Sequence, residues 1–291
     1  MTFGWRVMGW TSLVAVAFPA SMTNKIERGF FDSHCHLDFA PFGASLDTHL
    51  AAFHKAGIRD FLIPSVGPDN WQTLLAIKAQ QPVYIALGYH PCFLPDDHNQ
   101  TALELALEDC ALLVAEQRHQ VSAWGECGLD GRFKESLDFQ ELAFRRQVSL
   151  ANTHQLPIIV HSVREHDRCA KVLRQQQAAY GGIIHAFSGS YQQAARFVDL
   201  GFKLGIGGTI TWPRSEKTRK AIKRLPLDAL VLETDAPDMP LYQMETDHNT
   251  PLNLPQIFQI LCELRDEPAE QLKEALWCNT QNALRLVGAS D

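Results

Sequence analysis

The chain has 291 residues, 46% of them hydrophobic and 20% charged, which excludes a disordered or fibrous protein and leaves ample apolar material for a large core. That length suits two average domains or a single α/β barrel of about 250 residues. A net charge of −7, from 26 basic and 33 acidic residues, excludes a broad basic surface for nucleic acid, so an anionic substrate must be held locally, by metal ions or a few placed basic groups.

Residues 5–20, WRVMGWTSLVAVAFPA, resemble a secretory signal segment with one Arg before an apolar stretch. Gly9, Thr11, Ser12 and Pro19 interrupt it too often for a good membrane span. The expectation is that 1–21 are a non-native or dispensable extension and that the domain begins at Met22 and runs to 291. Seven cysteines, an odd number without any C-x-x-C pair, argue against a disulfide framework and for a reducing, cytoplasmic location.

From Gly29 onward, short β-rich runs alternate with amphipathic stretches. The expected strands are 29–36, 57–65, 83–91, 121–130, 156–162, 181–188, 201–208 and 229–237. Each is apolar and often entered from Gly or Pro, as in parallel strands buried on both faces. Between them, Leu103, Leu107, Cys110, Leu113 and Val114 recur at helical spacing, and Phe139, Leu142, Phe144, Val148 and Leu150 do so less cleanly. Asp69 and Ser190 are expected helix N-caps, and 252–287 reads as two further helices broken near Pro268. Eight such repeats predict one α/β domain, a (β/α)8 barrel of the TIM type with extra C-terminal helices.

Polar residues unusual for strands gather at the C-terminal ends of these runs: His34 and His36, His90, Glu126, His161, His185 and Asp235. In a barrel those ends form one rim, which carries the active site. Alternation along a strand would turn His34 and His36 to the same side, with Cys35 opposite. An H-x-H alone is weak evidence for a metal. Four histidines and two carboxylates on one rim suffice for two divalent ions, and a carboxylate such as Glu126 is able to bridge them.

FDSHCHLDF, LGYHP, GECGLD, IIVHS, HAFSGS and ETDAPDMP, in that order, resemble the successive motifs of the TatD family of metal-dependent deoxyribonucleases, within the amidohydrolase-like barrels. GGTITWPRSEKTR and VLETDAPDMPL are most similar to its YjjV-like branch, and the likeness spans about 29–287. It implies that His34, His36 and Asp235 bind one metal, that Glu126 bridges, and that His161 and His185 bind the second. It also implies phosphodiester hydrolysis, usually of DNA and often as a 3′–5′ exonuclease, with Mg²⁺, Mn²⁺, Zn²⁺ or another divalent ion. Asp235 is then expected to orient or deprotonate the attacking water, and His90 and Arg164 to contact phosphate.

Two departures fall on groups expected to touch substrate. The family's Arg two residues after the strand-five histidine is replaced by Val163, followed by Arg164, and its R-N-E-P element becomes His248-Asn249-Thr250-Pro251. The rival reading keeps the site and hydrolyses a small ester or amide. No membrane and no obligate protein partner are expected. Asp32 is expected to orient a ligand histidine or to cap the following loop, and Glu233 to lie one layer deeper than Asp235. The histidines at 49, 54, 119, 154 and 166 are expected on the surface. Trp212, Arg214 and Lys217 stand as either a base-and-phosphate contact or a solvated loop.

Overall fold

The computed structural model describes residues 29–286 except 96 and 247; the expected extension 1–21 and the start at Met22 lie outside the described residues. Eight parallel strands follow one another around the sheet in chain order. They are β1 (Phe30–Asp32), β2 (Ile58–Pro64), β3 (Tyr84–Leu87), β4 (Val121–Asp130), β5 (Ile158–Val163), β6 (Gly182–Ile184), β7 (Phe202–Ile206) and β8 (Leu230–Leu232). The last strand meets the first through Ser33 N–H to Leu232 O (3.0 Å), Asp235 N–H to His34 O (2.8 Å) and His36 N–H to Ala236 O (2.7 Å). The sheet thus closes into the expected barrel.

Helices α1 (Leu46–Lys55), α2 (Pro68–Gln80), α3 (Gln100–Glu116), α4 (Leu137–Thr153), α5 (His166–Gln175), α6 (Tyr191–Asp199) and α7 (Glu216–Arg224) return between successive strands. After β8 come α8 (Leu254–Leu264) and α9 (Ala269–Ala283), separated at Pro268. The apolar face of α3 behaves as its spacing predicts: Leu103, Leu107, Cys110 and Val114 are fully buried. Ser190 caps α6, its hydroxyl accepting from Gln193 N–H. Asp69 does not cap α2. The cap is Gly67, and the Asn70 side chain accepts the Val66 and Gly67 N–H groups instead, because Pro68 already occupies the first helical position.

Two apolar layers follow from strand alternation. An inner one fills the barrel with Phe31, Leu62, Ala86, Ala123, Ile159, Ile183 and Val231, and Ala283 and Leu284 at the end of α9 belong to it. The outer one lies between strands and helices and contains Trp124, Phe144, Val160, Ile184 and Leu232. Among the described residues no helix is long and apolar enough to cross a membrane.

Candidate metal centre

The inner layer supplies the floor of the site. Counting along each strand from its inner apolar residue, Ile159 leads to His161 and Ile183 to His185 in two steps, and Ala86 leads to His90 and Val231 to Asp235 in four. Even steps keep a side chain inside the barrel. From Phe31 to His34 and from Ala123 to Glu126 the count is three, so a regular strand would point both outward. Each of these strands breaks its regularity. In β4 the register shifts between Trp124 and Cys127, which both pack in the outer layer, and this bulge turns Glu126 inward.

In β1 the ladder ends at Asp32, short of the expected strand end. The Asp32 carboxylate accepts His34 N–H (3.3 Å), Thr234 N–H (3.0 Å) and the Thr234 hydroxyl (2.6 Å), an Asx turn that bends the chain and ties it to the β8 loop. Asp32 therefore aims a histidine through its backbone and not through its ring. Beyond the bend His34 and His36 face inward, and Cys35 packs in the outer layer as expected.

Glu126 stands at the centre and is 1% exposed. Its Oε1 lies 2.7 Å from His185 Nε2 and 2.8 Å from His161 Nδ1, while Oε2 lies 3.0 Å from His34 Nε2 and 3.7 Å from His36 Nε2. Asp235 Oδ1 is 3.4 Å from His34 Nε2 and 3.7 Å from His36 Nε2. Three ligand-like groups result among the described residues, His34–His36–Asp235, His34–Glu126–His185 and His90–Cys92–His161. All six expected ligand residues are brought together.

His161 stands between two carboxylates, with Nε2 3.0 Å from Asp130 Oδ2 and Nδ1 2.8 Å from Glu126 Oε1. The tautomer that donates Nε2–H to Asp130 leaves the Nδ1 lone pair for a cation. His90 Nδ1 accepts Cys92 N–H (3.1 Å), so Nε2–H is a donor, 3.1 Å from His161 Nδ1 and 3.3 Å from Glu126 Oε1. Burial pushes its pKa down to about 4, against the attraction of Glu126 and with repulsion from His161 and His185 adding to the shift, and keeps it neutral. His90 thus offers a proton donor to an anionic oxygen.

The charges are balanced within the cluster when no cation is bound. Burial opposes ionisation of His185, but Glu126, Asp235 and Glu233 prevail and raise its pKa to about 10. Burial also opposes ionisation of Glu126, yet His185, His34 and His90 hold it well below the ordinary carboxylate range. For Asp235 burial wins over the attraction of His185, with Glu126 and Glu233 adding to the upward shift. Buried donors consisting of imidazole nitrogens and carboxylate oxygens fit divalent cations.

Several supporting residues brace the cluster. Arg132 clamps Asp130 through Nε and Nη2, and Asp130 in turn holds His161. Although burial works the other way, hydrogen bonds from His161 and Arg132 keep Asp130 well below the usual carboxylate pKa. Asp130→Asn is expected to lower turnover or cation affinity about 10–100-fold with little effect on folding, measured by kinetics and cation titration; a change under about twofold would remove Asp130 from the site. Glu233 is fully buried beneath the rim, accepts Ala186 N–H, and lies 4.0 Å from His185 Nδ1. His166 is not a surface group: it is buried, with Nδ1 2.8 Å from Ser162 Oγ and Nε2 3.0 Å from Ser188 O, bridging the β5 and β6 ends.

Asn249, in the altered element after β8, is buried and donates to Thr234 O (2.8 Å) and Met239 O (3.1 Å). It braces the loop carrying Asp235, whose φ of +60° is left-handed. Ala186 and Arg164, at the ends of β6 and β5, are left-handed too, a conformation costing non-glycine residues about 1–2 kcal/mol each. Arg164 is exposed, and its side chain is engaged by no described residue.

Residues 31–285 match the TatD-related DNase family. The chain belongs to that family. It is 42% identical over 254 residues to the uncharacterized metal-dependent hydrolase YjjV of Escherichia coli (strain K12), covering 86% of this chain and 96% of that protein. A crystal structure of the same E. coli TatD homolog superposes with a TM-score of 0.82 at 41% identity, over 87% of this chain and 97% of that one. The 3′–5′ ssDNA/RNA exonuclease TatD of Pantoea sp. (strain At-9b) is 30% identical, covering 88% of this chain and all of that protein. This TatD-family protein is accordingly a metal-dependent hydrolase acting on ester bonds.

Proposed function

We propose that the enzyme hydrolyses phosphodiester bonds of single-stranded DNA, removing nucleotides from the 3′ end, with two divalent cations. The observation that carries this reading is the division of Glu126: one oxygen faces His161 and His185, the other His34 and His36, with Asp235 beside the second pair. His34, His36 and Asp235 would hold one cation and His161 and His185 the other, with Glu126 between them. Bound there, such cations neutralise phosphoryl charge and lower the pKa of water. The predominance of imidazole over oxygen donors favours Zn²⁺ over Mg²⁺, which prefers oxygen.

The chain's own groups do the rest. Asp235 orients the attacking water and accepts its proton. His90 Nε2–H donates to a phosphoryl oxygen beside Glu126. Arg164 and Arg132, both exposed at the rim, supply further positive charge for phosphate. Among the described residues the strongly exposed aromatic side chains, Phe93, Phe133 and Tyr242, all follow C-terminal strand ends. Aromatic faces around the mouth suit unstacked bases better than a closed duplex.

The test is nucleotide release from 5′-labelled single-stranded DNA by metal-stripped protein given Mg²⁺, Mn²⁺, Zn²⁺ or no metal, beside Asp235→Ala. A metal-dependent ladder shortening from the 3′ end, absent in the variant, is expected. No cleavage with any metal, together with turnover of a small ester or amide, would overturn the nuclease reading.

A further inference from the structure

A groove of about 570 Å³ lies between α6 and α7, on the barrel's flank and apart from the metal centre. Lys217, Lys220 and Arg224 line it at spacings of three and four residues, one face of α7, and Arg214 continues the row toward the mouth. The stripe from 217 to 224 rises about 10 Å along the helix. Helix α7, EKTRKAIKR, has five basic residues and one acidic in nine, against a net charge of −7 for the whole chain. The acidic one, Glu216, pairs with Lys220 at 3.1 Å on an exposed surface, where such a pair contributes little.

Aromatic rings stand at both ends with guanidinium groups on their faces: Arg224 lies 4.0 Å over Tyr191, and Arg214 4.2 Å over Trp212. Trp212 is also joined to the β8 loop, its indole N–H donating to Pro240 O and its ring edge-on to Tyr242. The lining reaches Ser190 at the start of α6, five residues along the chain from His185, and Pro213 beside Trp212. On a chain that otherwise repels polyanions, a continuous cationic track leading away from a phosphodiester site has one fitting occupant.

We infer that this groove binds the sugar–phosphate backbone of the single strand beyond the nucleotides held in the metal centre. The inference rests on the proposed nuclease reading and adds a binding site to it. The groove acts on the phosphates through charge, tolerates any base sequence, and makes affinity grow with strand length.

Direct binding tests it without turnover. The full chain carrying Asp235→Ala is titrated against fluorescein-labelled oligo(dT) of 4 and 20 nucleotides, read by anisotropy at 50 and 200 mM NaCl. The 20-mer is expected to bind at least about 10-fold more tightly than the 4-mer. Adding Lys217→Gln, Lys220→Gln and Arg224→Gln should erase that difference and lower the salt slope by about 2. A control with Lys55→Gln, Lys171→Gln and Lys223→Gln has the same net charge and should keep most of it. So should Lys217→Arg, Lys220→Arg and Arg224→Lys, which preserve the charges and report on folding.

Equal loss in the groove variant and the neutralising control, no loss in either, or no length dependence in the parent would overturn the inference. Tighter binding of polyglutamate than of DNA would assign the groove to acidic protein segments instead. Strand binding that needs the groove, in a protein that cleaves no DNA, would sink the nuclease reading and leave the groove standing.

Discussion

Replacing Glu126 with Ala is expected to reduce phosphodiester turnover by at least about 10³-fold, the upper end of what losing a single electrostatic group costs in an active site. The reason is positional. Among the described residues no other carboxylate lies beside both His161–His185 and His34–His36, so the variant should lose the proposed bridge as well as a charge. Bound cations should fall from two per chain to one or none, as read by elemental analysis after dialysis. Asp235→Ala should lose comparable activity, yet retain the second group of donors and therefore one cation. Both side chains sit above the packed inner layer, so far-ultraviolet circular dichroism should be unchanged. If Glu126→Ala kept activity within about tenfold of the parent, the bridging role would be wrong.

Stripping the cations is expected to lower the thermal unfolding midpoint by about 10 °C at pH 8.5, and by much less at pH 5.5. Free cation at 1,000 times its dissociation constant stabilises by about 4 kcal/mol, and each kcal/mol moves the midpoint of a protein this size by about 2–4 °C. The pH dependence follows from the buried groups. His185 is raised from 6.5 to about 10, against the opposing effect of burial, by Glu126, Asp235 and Glu233. Without cations its proton contributes stability that is complete below 6.5 and disappears as pH climbs through 10. Burial raises Asp32 and Glu233 to about 7, so they too contribute stability at low pH that is lost as pH rises through 7. The stripped protein therefore weakens with rising pH, while cations, which compete with these protons, bind more tightly. Melting curves at pH 5.5, 7 and 8.5, with chelator and with Mn²⁺, should diverge steadily. A gap that stayed constant or narrowed would refute the coupling.

The barrel was legible because each strand is short, apolar and separated from the next by a helical period. The even-step ligands His161, His185 and Asp235 were legible for a similar reason: they continue the inward alternation of Ile159, Ile183 and Val231. Glu126 and His34 could be placed on the rim but not aimed. Both sit three residues from an inner apolar side chain, and only the bulge in β4 and the Asp32 turn in β1 bring them inside. Regular alternation has no means of announcing either device. Arg132 and His166 escaped because their roles depend on a loop clamp or on partners distant in sequence. His166 lies on a helix, where a histidine is ordinarily solvated, yet here it seals the seam between two strand ends. Arg164 remains an expectation: its position on the rim is compatible with phosphate contact, and its side chain is not committed elsewhere.

The most direct measurement titrates metal-stripped protein with Mn²⁺ while following cation occupancy and cleavage of a simple phosphodiester in the same sample. Two sites on either side of Glu126 predict that the rate stays low through the first equivalent and rises with the second, and that Glu126→Ala shows no rise. Full activity at one equivalent, or two bound cations with no diester cleaved, would contradict a two-cation phosphodiester hydrolase.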